Sequence, residues 1–404
     1  MSVLRIRSIT AGSSLNELFP GGWEALETLY NHAERLFAAE GVSVQTRRLV
    51  LEPLCPEMNI EYARVRAALD AIAARINRHG IRWVCLPVSG REGSPQDDVR
   101  RHTAELILAY PFLFLNLMIA EKGIIASPFL LQAAKDILNV SRLSRNGFDN
   151  FRLGCGANIR ANTPFFPFSR HDGQPGFSFA VENIHLIMNE LRQARAEGLT
   201  LLETRERIIS KLTKHCRQID SIGRCVEEHL EGKFVYHGLD MSIAPFPDDR
   251  SVADMMRLVG LDSFGGMGAV AATSYFTNIL KTSLAASGIR HTGFNGVMFS
   301  PLEDRGLAGA LKADSDFTIQ HLMLYSTVCG CGVDMVPIEG NTFPESLASL
   351  LLDVGTLSCA HNKPLGVRVL PIPGKRVNES TEFNHDFLVN TRILRINGQG
   401  LLQP

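Results

Sequence analysis

Hydrophobic and polar residues recur along this chain in two periods, one typical of strands and one typical of helices. Residues 2–12 alternate apolar and polar side chains and end at Gly12, as a strand does. From residue 23 to residue 39 the apolar side chains follow helical spacing instead. The two periods predict strands at 2–12, 42–51, 81–88, 234–244, 292–299 and 364–372, and helices at 23–39, 60–79, 98–121, 127–143, 178–197, 201–230, 251–259, 269–285 and 316–328. This alternation of strands and helices predicts an α/β protein.

Composition changes this picture little. Of the 404 residues, 45% are hydrophobic and 21% are charged, which is ordinary for a globular protein. The 41 basic and 42 acidic residues give a net charge of −1 without a basic block, so we expect neither nucleic acid nor a membrane as partner. No linker or repeat is visible, which predicts a single domain over residues 1–404. Residues 1–7 lack the apolar segment of a secretion signal, which predicts a cytoplasmic protein.

The segment 155–185 is the strongest candidate for a loop that forms a site. Within it, Pro164 and Pro167 bracket two phenylalanines, and their fixed φ angles specify a stiff extended turn. Polar side chains surround this apolar turn, namely Asn158, Arg160, Arg170, His171 and Glu182. Loops are normally polar and variable, so a rigid apolar loop interleaved with ionisable groups predicts part of a ligand site.

Acidic residues also occur inside apolar segments bounded by proline or glycine. They are Asp240, Glu303, Asp304 and Asp334. An unpaired carboxylate in such surroundings costs several kcal/mol, so each is expected to be paired or bound to a metal. With His171 and Glu182, these residues would suit a hard divalent cation. The alternative stays open that each carboxylate caps a helix or pairs with an arginine, namely Arg48, Arg160, Arg170 or Arg305.

The eight cysteines form no CxxC pair, and most are expected to be reduced core residues. Cys329 and Cys331 differ because glycines flank and separate them. Cys329, where this loop begins, is the candidate nucleophile or redox group, and an inert structural pair is the alternative. The sequence carries no signature for NAD, PLP or ATP.

Seven segments spread over the chain resemble, in order, those of the family called domain of unknown function 711, a group of uncharacterised bacterial and archaeal proteins. They are IRSIT at 6–10, VQTRR at 44–48, NTPFFP at 162–167, DMSIAP at 240–245, PLED at 301–304, CGCGVDMVP at 329–337 and PLGVRVLPIPGK at 364–375. The resemblance implies a ten-stranded α/β barrel similar to that of pyruvate formate-lyase and class III ribonucleotide reductase, with two parallel five-stranded halves and outer helices.

In those enzymes a finger loop presents a cysteine, and by resemblance Cys329 would be that residue. A shared fold does not fix the chemistry. A glycyl radical is not expected, since no long C-terminal glycyl-radical domain is seen. Arg160 and Arg170 depart from the family pattern, which suggests an arginine fork for a substrate carboxylate.

The favoured function is an enzyme that acts on a small carboxylate-bearing metabolite in the barrel mouth. A divalent cation would polarise a carbonyl or activate water. His171 or Glu182 would move a proton, and Cys329 would be the nucleophile or redox group. The residues expected to hold the substrate are Arg48, Arg160, Arg170 and Asn158.

The alternative is a non-catalytic regulatory protein that binds an amino acid or another metabolite. The resemblance supports it, because genes of the family are often found near small ACT-domain proteins. A third hypothesis is redox sensing through Cys329 and Cys331. A homodimer is expected in each case, since two-fold symmetric oligomers are the commonest.

Overall fold

The computed structural model describes residues 5–14, 22–58, 60–91, 94–311, 315–329 and 331–398, with the backbone alone for 94–97. One sheet runs through this part of the chain and has eleven strands. The strands are β1 (Arg5–Ser13), β2 (Ser43–Val44), β3 (Arg47–Leu51), β4 (Ile81–Ser89), β5 (Leu113–Glu121), β6 (Ile124–Ile125), β7 (Leu153–Ala157), β8 (Gly176–Glu182), β9 (Val235–Asp240), β10 (Gly332–Glu339) and β11 (Leu365–Ile372). The strand predicted at 2–12 begins outside the described residues, at 2–4, and continues as β1.

Twelve α-helices accompany the sheet over the same described ranges. They are α1 (Gly22–Ala39), α2 (Tyr62–Ile76), α3 (Ser94–Arg101), α4 (Thr103–Ala109), α5 (Ser127–Val140), α6 (Ile184–Ala196), α7 (Leu201–His229), α8 (Val252–Leu258), α9 (Ala269–Ser287), α10 (Arg305–Ala310), α11 (Ile319–Ser326) and α12 (Pro344–Ala360). A 3-10 helix spans Phe148–Arg152. Of the helices that the structure describes, none has the length and apolarity needed to cross a membrane.

The sheet has a parallel centre and a differently oriented pair of strands on each side. Its order is β10-β11-β7-β5-β4-β3-β1-β8-β9, with β2 beside β1 and β6 beside β5. The five strands from β7 to β1 are parallel to their neighbours. β8 pairs antiparallel with β1, and β11 pairs antiparallel with β7. The pairs β8–β9 and β10–β11 are each parallel. The α/β class predicted from the sequence is therefore confirmed.

The two faces of the central strands differ in chemistry, because successive residues of a strand point to opposite faces. One face is aliphatic and packs in the main core with the helices; it includes Leu49, Leu51, Val84, Leu86, Leu113, Leu115, Leu117, Val367 and Val369. The opposite face, called the inner face here, mixes aromatic, polar and glycine positions. By strand register it carries Thr10, Arg48, Val50, Trp83, Cys85, Phe114, Asn116, Gly154, Gly156, Gly366 and Arg368.

The loop 162–171, which contains the Pro164–Phe168 turn, lies across this inner face. The amide of Asn116 donates to the carbonyl of Ser169 at 3.0 Å. Gly154 and Gly366 lie beneath the ring of Phe168, and a Cβ at Gly366 would be only 2.6 Å from two carbons of that ring. The missing side chains at these two glycines let the loop approach the sheet closely.

Residues 291–302 run between the two edge strands without forming a strand. His291 and Val297 each make one isolated bridge to the chain at or after β9, and the N–H of Leu302 donates to the carbonyl of Met335 in β10 at 3.2 Å. The strand predicted at 292–299 is wrong because Gly293 and Asn295 have φ values of 80° and 51°, which interrupt an extended strand. The sheet is therefore not closed by strand pairing, and the predicted ten-stranded barrel is not confirmed.

Asp240, the last residue of β9, holds this irregular segment in place. Its carboxylate accepts hydrogen bonds from the N–H groups of Phe294 at 2.8 Å and Asn295 at 3.1 Å. It also accepts from the backbone and the hydroxyl of Ser242 at 2.9 and 2.6 Å. The side chain is fully buried, so these four donors replace the water that an ionised carboxylate would otherwise need.

Two predicted helices are wrong in part. The helix predicted at 98–121 contains Pro111, which cannot continue a helix. Beyond it the chain forms β5, a nearly continuous apolar run typical of a strand buried on both faces. The helix predicted at 178–197 begins only at Ile184. Its first part is β8, every residue of which is buried, and such a short apolar run does not distinguish strand from helix by its period.

Gly366→Ala is expected to destabilise the protein, because the added Cβ must displace the Phe168 ring. We expect the free energy of unfolding to fall by about 1–3 kcal/mol, the usual range for overpacking. Chemical denaturation would measure it. Gly309→Ala in α10 is the matched control, since its Cβ would meet nothing within 4 Å. That variant should be unchanged or up to about 1 kcal/mol more stable. Equal stability of the two variants would contradict the proposed contact.

Asp240→Asn is expected to lower the free energy of unfolding by about 1–3 kcal/mol, because an amide NH₂ group cannot accept the backbone donors that it would face. Urea denaturation would measure the change. Asp262→Asn is the control, because Asp262 is exposed and should change stability by less than about 0.5 kcal/mol. If the Asp240 variant were as stable as this control, the carboxylate would not be what holds residues 291–302.

Candidate functional site

Two adjoining cavities, of about 70 Å³ and about 100 Å³, lie against the inner face, and the loop 162–171 lines the first of them. They share the side chains of Arg7, Arg48, Trp83, Phe151, Pro245 and Glu303. We call them together the arginine pocket. The first cavity is also lined by Phe114, Phe165, Phe166, Phe168, Met298, Asp334 and Arg368, and the second by Gln45, Thr46, Arg82, Phe246 and Phe387. Charged groups therefore converge on an aromatic enclosure, an arrangement typical of small-molecule sites.

The most buried ion pair of the pocket joins Arg368 of β11 to Asp334 of β10. Nε and Nη2 of Arg368 donate to the two carboxylate oxygens at 2.6 and 2.9 Å, and Nη1 donates to the carbonyl of Phe151 at 3.1 Å. Glu303 lies 3.6 Å from Nη2 of the same arginine. The guanidinium group of Arg368 already forms a bidentate ion pair with Asp334. Arg368 therefore serves mainly to position the carboxylates of Asp334 and Glu303.

Arg7 and Arg48 are different, because neither forms an ion pair with a carboxylate of the described residues. Nε of Arg48 donates to the hydroxyl of Thr46 at 3.1 Å, and Nη1 donates to the carbonyl of Pro164 at 3.4 Å. The guanidinium of Arg7 lies 4.2 Å from the ring centre of Phe246. Its Nη1 is buried and has no hydrogen-bond partner in the part of the chain that is described. A buried donor without a partner normally marks a place for a ligand or water.

Burial and mutual repulsion shape the electrostatics of the pocket. Burial, together with Arg7, Arg82 and Arg368, lowers the pKa of Arg48 to about 9, so it still carries its proton at neutral pH. Burial lowers the pKa of Arg7, against the opposing effect of Glu303 and Glu182. An anion placed between the two guanidinium groups would relieve this unfavourable charge.

Glu303 is the pocket's candidate for proton transfer. Burial raises the pKa of Glu303; Arg368 opposes this shift and the charge of Asp334 adds to it. The hydroxyl of Ser300 donates to Oε2 at 2.5 Å, which fixes the orientation of the carboxyl group. A carboxyl group that holds its proton to higher pH can donate it to a bound molecule. The pocket thus combines cationic groups suited to a carboxylate with one group suited to proton transfer.

Of the residues predicted from the sequence, the structure brings Arg48, Glu303 and Asp334 together in this pocket. Glu182, at the end of β8, is not among the lining residues. It accepts a hydrogen bond from Gln45 at 2.5 Å and pairs with Arg250. Its carboxylate is therefore engaged, which does not favour the predicted catalytic role.

The other two predicted metal ligands, Asp240 and Asp304, accept hydrogen bonds from backbone N–H groups instead. Asp240 binds residues 294 and 295 as described above. Asp304 caps two helices: it accepts from the N–H of Leu307 in α10 at 2.9 Å and from the N–H of Val252 in α8 at 2.7 Å. The capping alternative that the sequence left open thus describes Asp304. Asp334 does pair with an arginine, but the partner is Arg368, which is not one of the four arginines expected from the sequence.

Three further predicted residues of the segment 155–185 lie outside the pocket, namely Asn158, Arg170 and His171. Nδ1 of His171 lies 2.9 Å from Oδ1 of Asn162, and the imidazole is buried against Gly12. With Arg170 it lines a separate cavity of about 450 Å³. Oδ1 of Asn158 accepts a hydrogen bond from the N–H of Gly123 at 2.8 Å, and its Nδ2 donates to the hydroxyl of Ser358 at 2.9 Å. These contacts favour structural roles for Asn158 and His171.

Cys329 and Arg160 line yet another cavity, which shares no residue with the arginine pocket. Burial raises the pKa of the Cys329 thiol. Since the thiolate is the reactive form of a cysteine, this environment does not favour a nucleophile. The predicted convergence of Cys329 with Glu303 and Asp334 on one pocket is therefore not what the structure has.

The described residues do not bring together a set of side chains that could support the predicted divalent cation site. Among the described residues, no group of three or more His, Cys, Asp or Glu side chains is placed to hold an ion. Both oxygens of Asp334 accept from Arg368, and those of Asp240 and Asp304 accept from backbone N–H groups. These contacts do not fit a cation site, and elemental analysis of the purified protein would test for one directly.

Sequence reasoning missed Arg7 and Arg368. Arg368 stands in the middle of the apolar run Leu365–Ile372, and Arg7 stands between Ile6 and Ser8 in β1. The argument that singled out carboxylates within apolar segments applies equally to guanidinium groups. That signal would have identified Arg368 from the sequence.

Comparison with known proteins places the chain among relatives without an assigned activity. A UPF0210 protein of Pyrobaculum arsenaticum is 30% identical over 363 residues, which cover 85% of this chain and 77% of that protein. One of Methanocaldococcus jannaschii is 24% identical over 95% of this chain and 89% of its own length. One of Methanopyrus kandleri is 32% identical over 57% of this chain, a match that spans about half of that relative, 51%. The family described as Uncharacterised ACR (DUF711) matches residues 2–384, and the chain belongs to this family.

Proposed function

We propose that the protein is an enzyme that binds a small carboxylate-bearing metabolite in the arginine pocket and uses Glu303 to transfer a proton to or from it. The observation that carries the proposal is the pair of guanidinium groups, Arg7 and Arg48, which face the same cavity and form no ion pair among the described residues. Guanidinium groups bind carboxylates through paired, charge-assisted hydrogen bonds.

The size and walls of the pocket limit the substrate. Cavities of about 70 and 100 Å³ admit a small molecule. The rings of Phe166 and Phe168 would contact its apolar part, while the carboxylate meets Arg7 and Arg48. Excluding water in this way strengthens each electrostatic contact. Glu303, oriented by Ser300 and Arg368, is then the group placed to exchange a proton.

The proposal includes the barrel implied by the family resemblance. β1, β3, β4, β5 and β7 would form one parallel half, and β8, β9, β10 and β11 with residues 291–302 the other. The hydrogen bonds of residues 291–302 to Ile243 and Met335 support this arrangement. The divalent cation, the homodimer and an ACT-domain partner stay predictions, and none of them is needed for the binding step.

Arg48→Gln should weaken carboxylate binding by about 10- to 100-fold, because hydrogen bonds to charged groups contribute about 1.5–3 kcal/mol each. A thermal-shift screen of 2-oxo acids, hydroxy acids and amino acids would find a ligand, and calorimetry would give its Kd. Arg48→Lys keeps the positive charge but loses the two parallel N–H donors of the guanidinium group, so its Kd should lie between those of the wild type and Arg48→Gln. Arg78→Gln removes an exposed arginine and is the control. Equal affinity of Arg48→Gln and the control would refute the proposed site.

Glu303→Gln should still bind the ligand but should lower turnover by about 10²- to 10⁴-fold, the usual contribution of general acid–base catalysis. Mass spectrometry of the incubated ligand would measure turnover. Because burial and Asp334 raise the pKa of Glu303, donation by the wild type should persist to a higher pH than for an exposed glutamate. It should decline as the pH rises through that pKa, and the variant should lack this decline. A ligand that stabilises the wild type and is never consumed would instead favour the regulatory alternative.

A further inference from the structure

The cavity lined by Cys329 and Arg160 has a volume of about 310 Å³. It is formed by α9, by residues 291–295, and by the chain around Cys329 and Lys363. Its lining residues include none of those that line the arginine pocket. We call it the basic pocket, after Arg160, Lys281, His291 and Lys363.

The charged side chains that line the basic pocket are all positive. Arg160, Lys281 and Lys363 are cationic, and no carboxylate appears among its described lining residues. None of the three forms an ion pair within the described ranges. The only acceptor seen for the Lys363 ammonium, over those same ranges, is the carbonyl of Cys329. Other surface cations do have acidic neighbours; Arg207, for example, pairs with both Glu190 and Glu197.

The four basic groups affect one another in two pairs. Burial lowers the pKa of Lys363, and Lys281 lowers it further, against the opposing effect of the two thiols Cys329 and Cys331. Burial lowers the pKa of His291, and Arg160 adds to that shift. The carboxylate of Asp240 contacts two lining residues, but its oxygens are engaged by the N–H groups of Phe294 and Asn295 and by the hydroxyl of Ser242. A bound anion would therefore relieve a repulsion that the described chain leaves in place.

We propose that the basic pocket is a second ligand site, for a small, multiply charged anion of the phosphate-ester or diphosphate class. Its three cations come from separate elements: Arg160 from the chain after β7, Lys281 from α9, and Lys363 from the turn after α12. Such an array meets several oxygens of one polyanion, and lysine is a common point-charge partner of phosphate. A free amino acid fits poorly, because its ammonium group would find no carboxylate in the described wall.

Calorimetry with pyrophosphate, at constant ionic strength, tests the proposal. The wild type should bind one equivalent saturably. Arg160→Gln/Lys281→Gln should bind at least ten-fold more weakly, and because both side chains are exposed the variant should fold normally. The control is Arg195→Gln/Lys214→Gln, which removes two positive charges from exposed positions of α6 and α7. This control should bind pyrophosphate like the wild type.

Two outcomes would overturn the proposal. One is the absence of saturable pyrophosphate binding by the wild type. The other is an equal loss of affinity in both double variants, which would mean a general effect of net charge. Arg48→Gln separates this site from the proposed function. It should leave pyrophosphate binding unchanged while it weakens carboxylate binding, so that either site can fail without the other.

Discussion

The close approach of one loop to the sheet is the constraint on which the rest of the site depends. The ring of Phe168 rests on Gly154 and Gly366, and the imidazole of His171 rests on Gly12. These contacts place the loop over the inner face, where a larger residue on any of the three strands would hold it away. The aromatic side chains of the loop then close a space above Arg48 and its neighbours. Without that closure the arginines would face open solvent, where guanidinium groups interact only weakly with an anion.

The charged side chains of the arginine pocket differ in whether they have a partner of opposite charge. Asp334 and Arg368 lie on adjacent strands and satisfy one another, so they add little net charge. Glu303 lies farther from Arg368 than Asp334 does, and burial together with the charge of Asp334 raises the pKa of Glu303, so its carboxyl group holds a proton more readily. Arg7 and Arg48 line the same cavities as Glu303 but form no ion pair with a carboxylate of the described residues. The site thus combines two guanidinium groups for binding with one carboxyl group for proton transfer.

The sequence predicted the α/β class, most of the helices and the importance of the Pro164–Phe168 turn, because these depend on local periodicity and on proline geometry. It failed where tertiary context decides. The segment of β10 contains Pro337, which argues against a strand, yet β10 lies at an edge of the sheet, where a proline is tolerated. Of the predicted site residues, Arg48, Glu303 and Asp334 converge. Asp240 and Asp304 do not, because sequence shows that a buried carboxylate needs partners without showing that backbone N–H groups will supply them.

The order of strands in the sheet also affects how the protein is made. Arg7 and Arg48 are synthesised near the start of the chain, whereas Glu303, Asp334 and Arg368 all belong to its last quarter or the residue next to it. β1 lacks one of its neighbouring strands until β8 has been synthesised, and β7 lacks one until β11 has been synthesised. A ribosome-bound chain therefore exposes two arginine-bearing strands well before their enclosure exists. Ligand binding cannot assist the early steps of folding, and the nascent inner face remains open to other partners, including chaperones, until the last strand is in place.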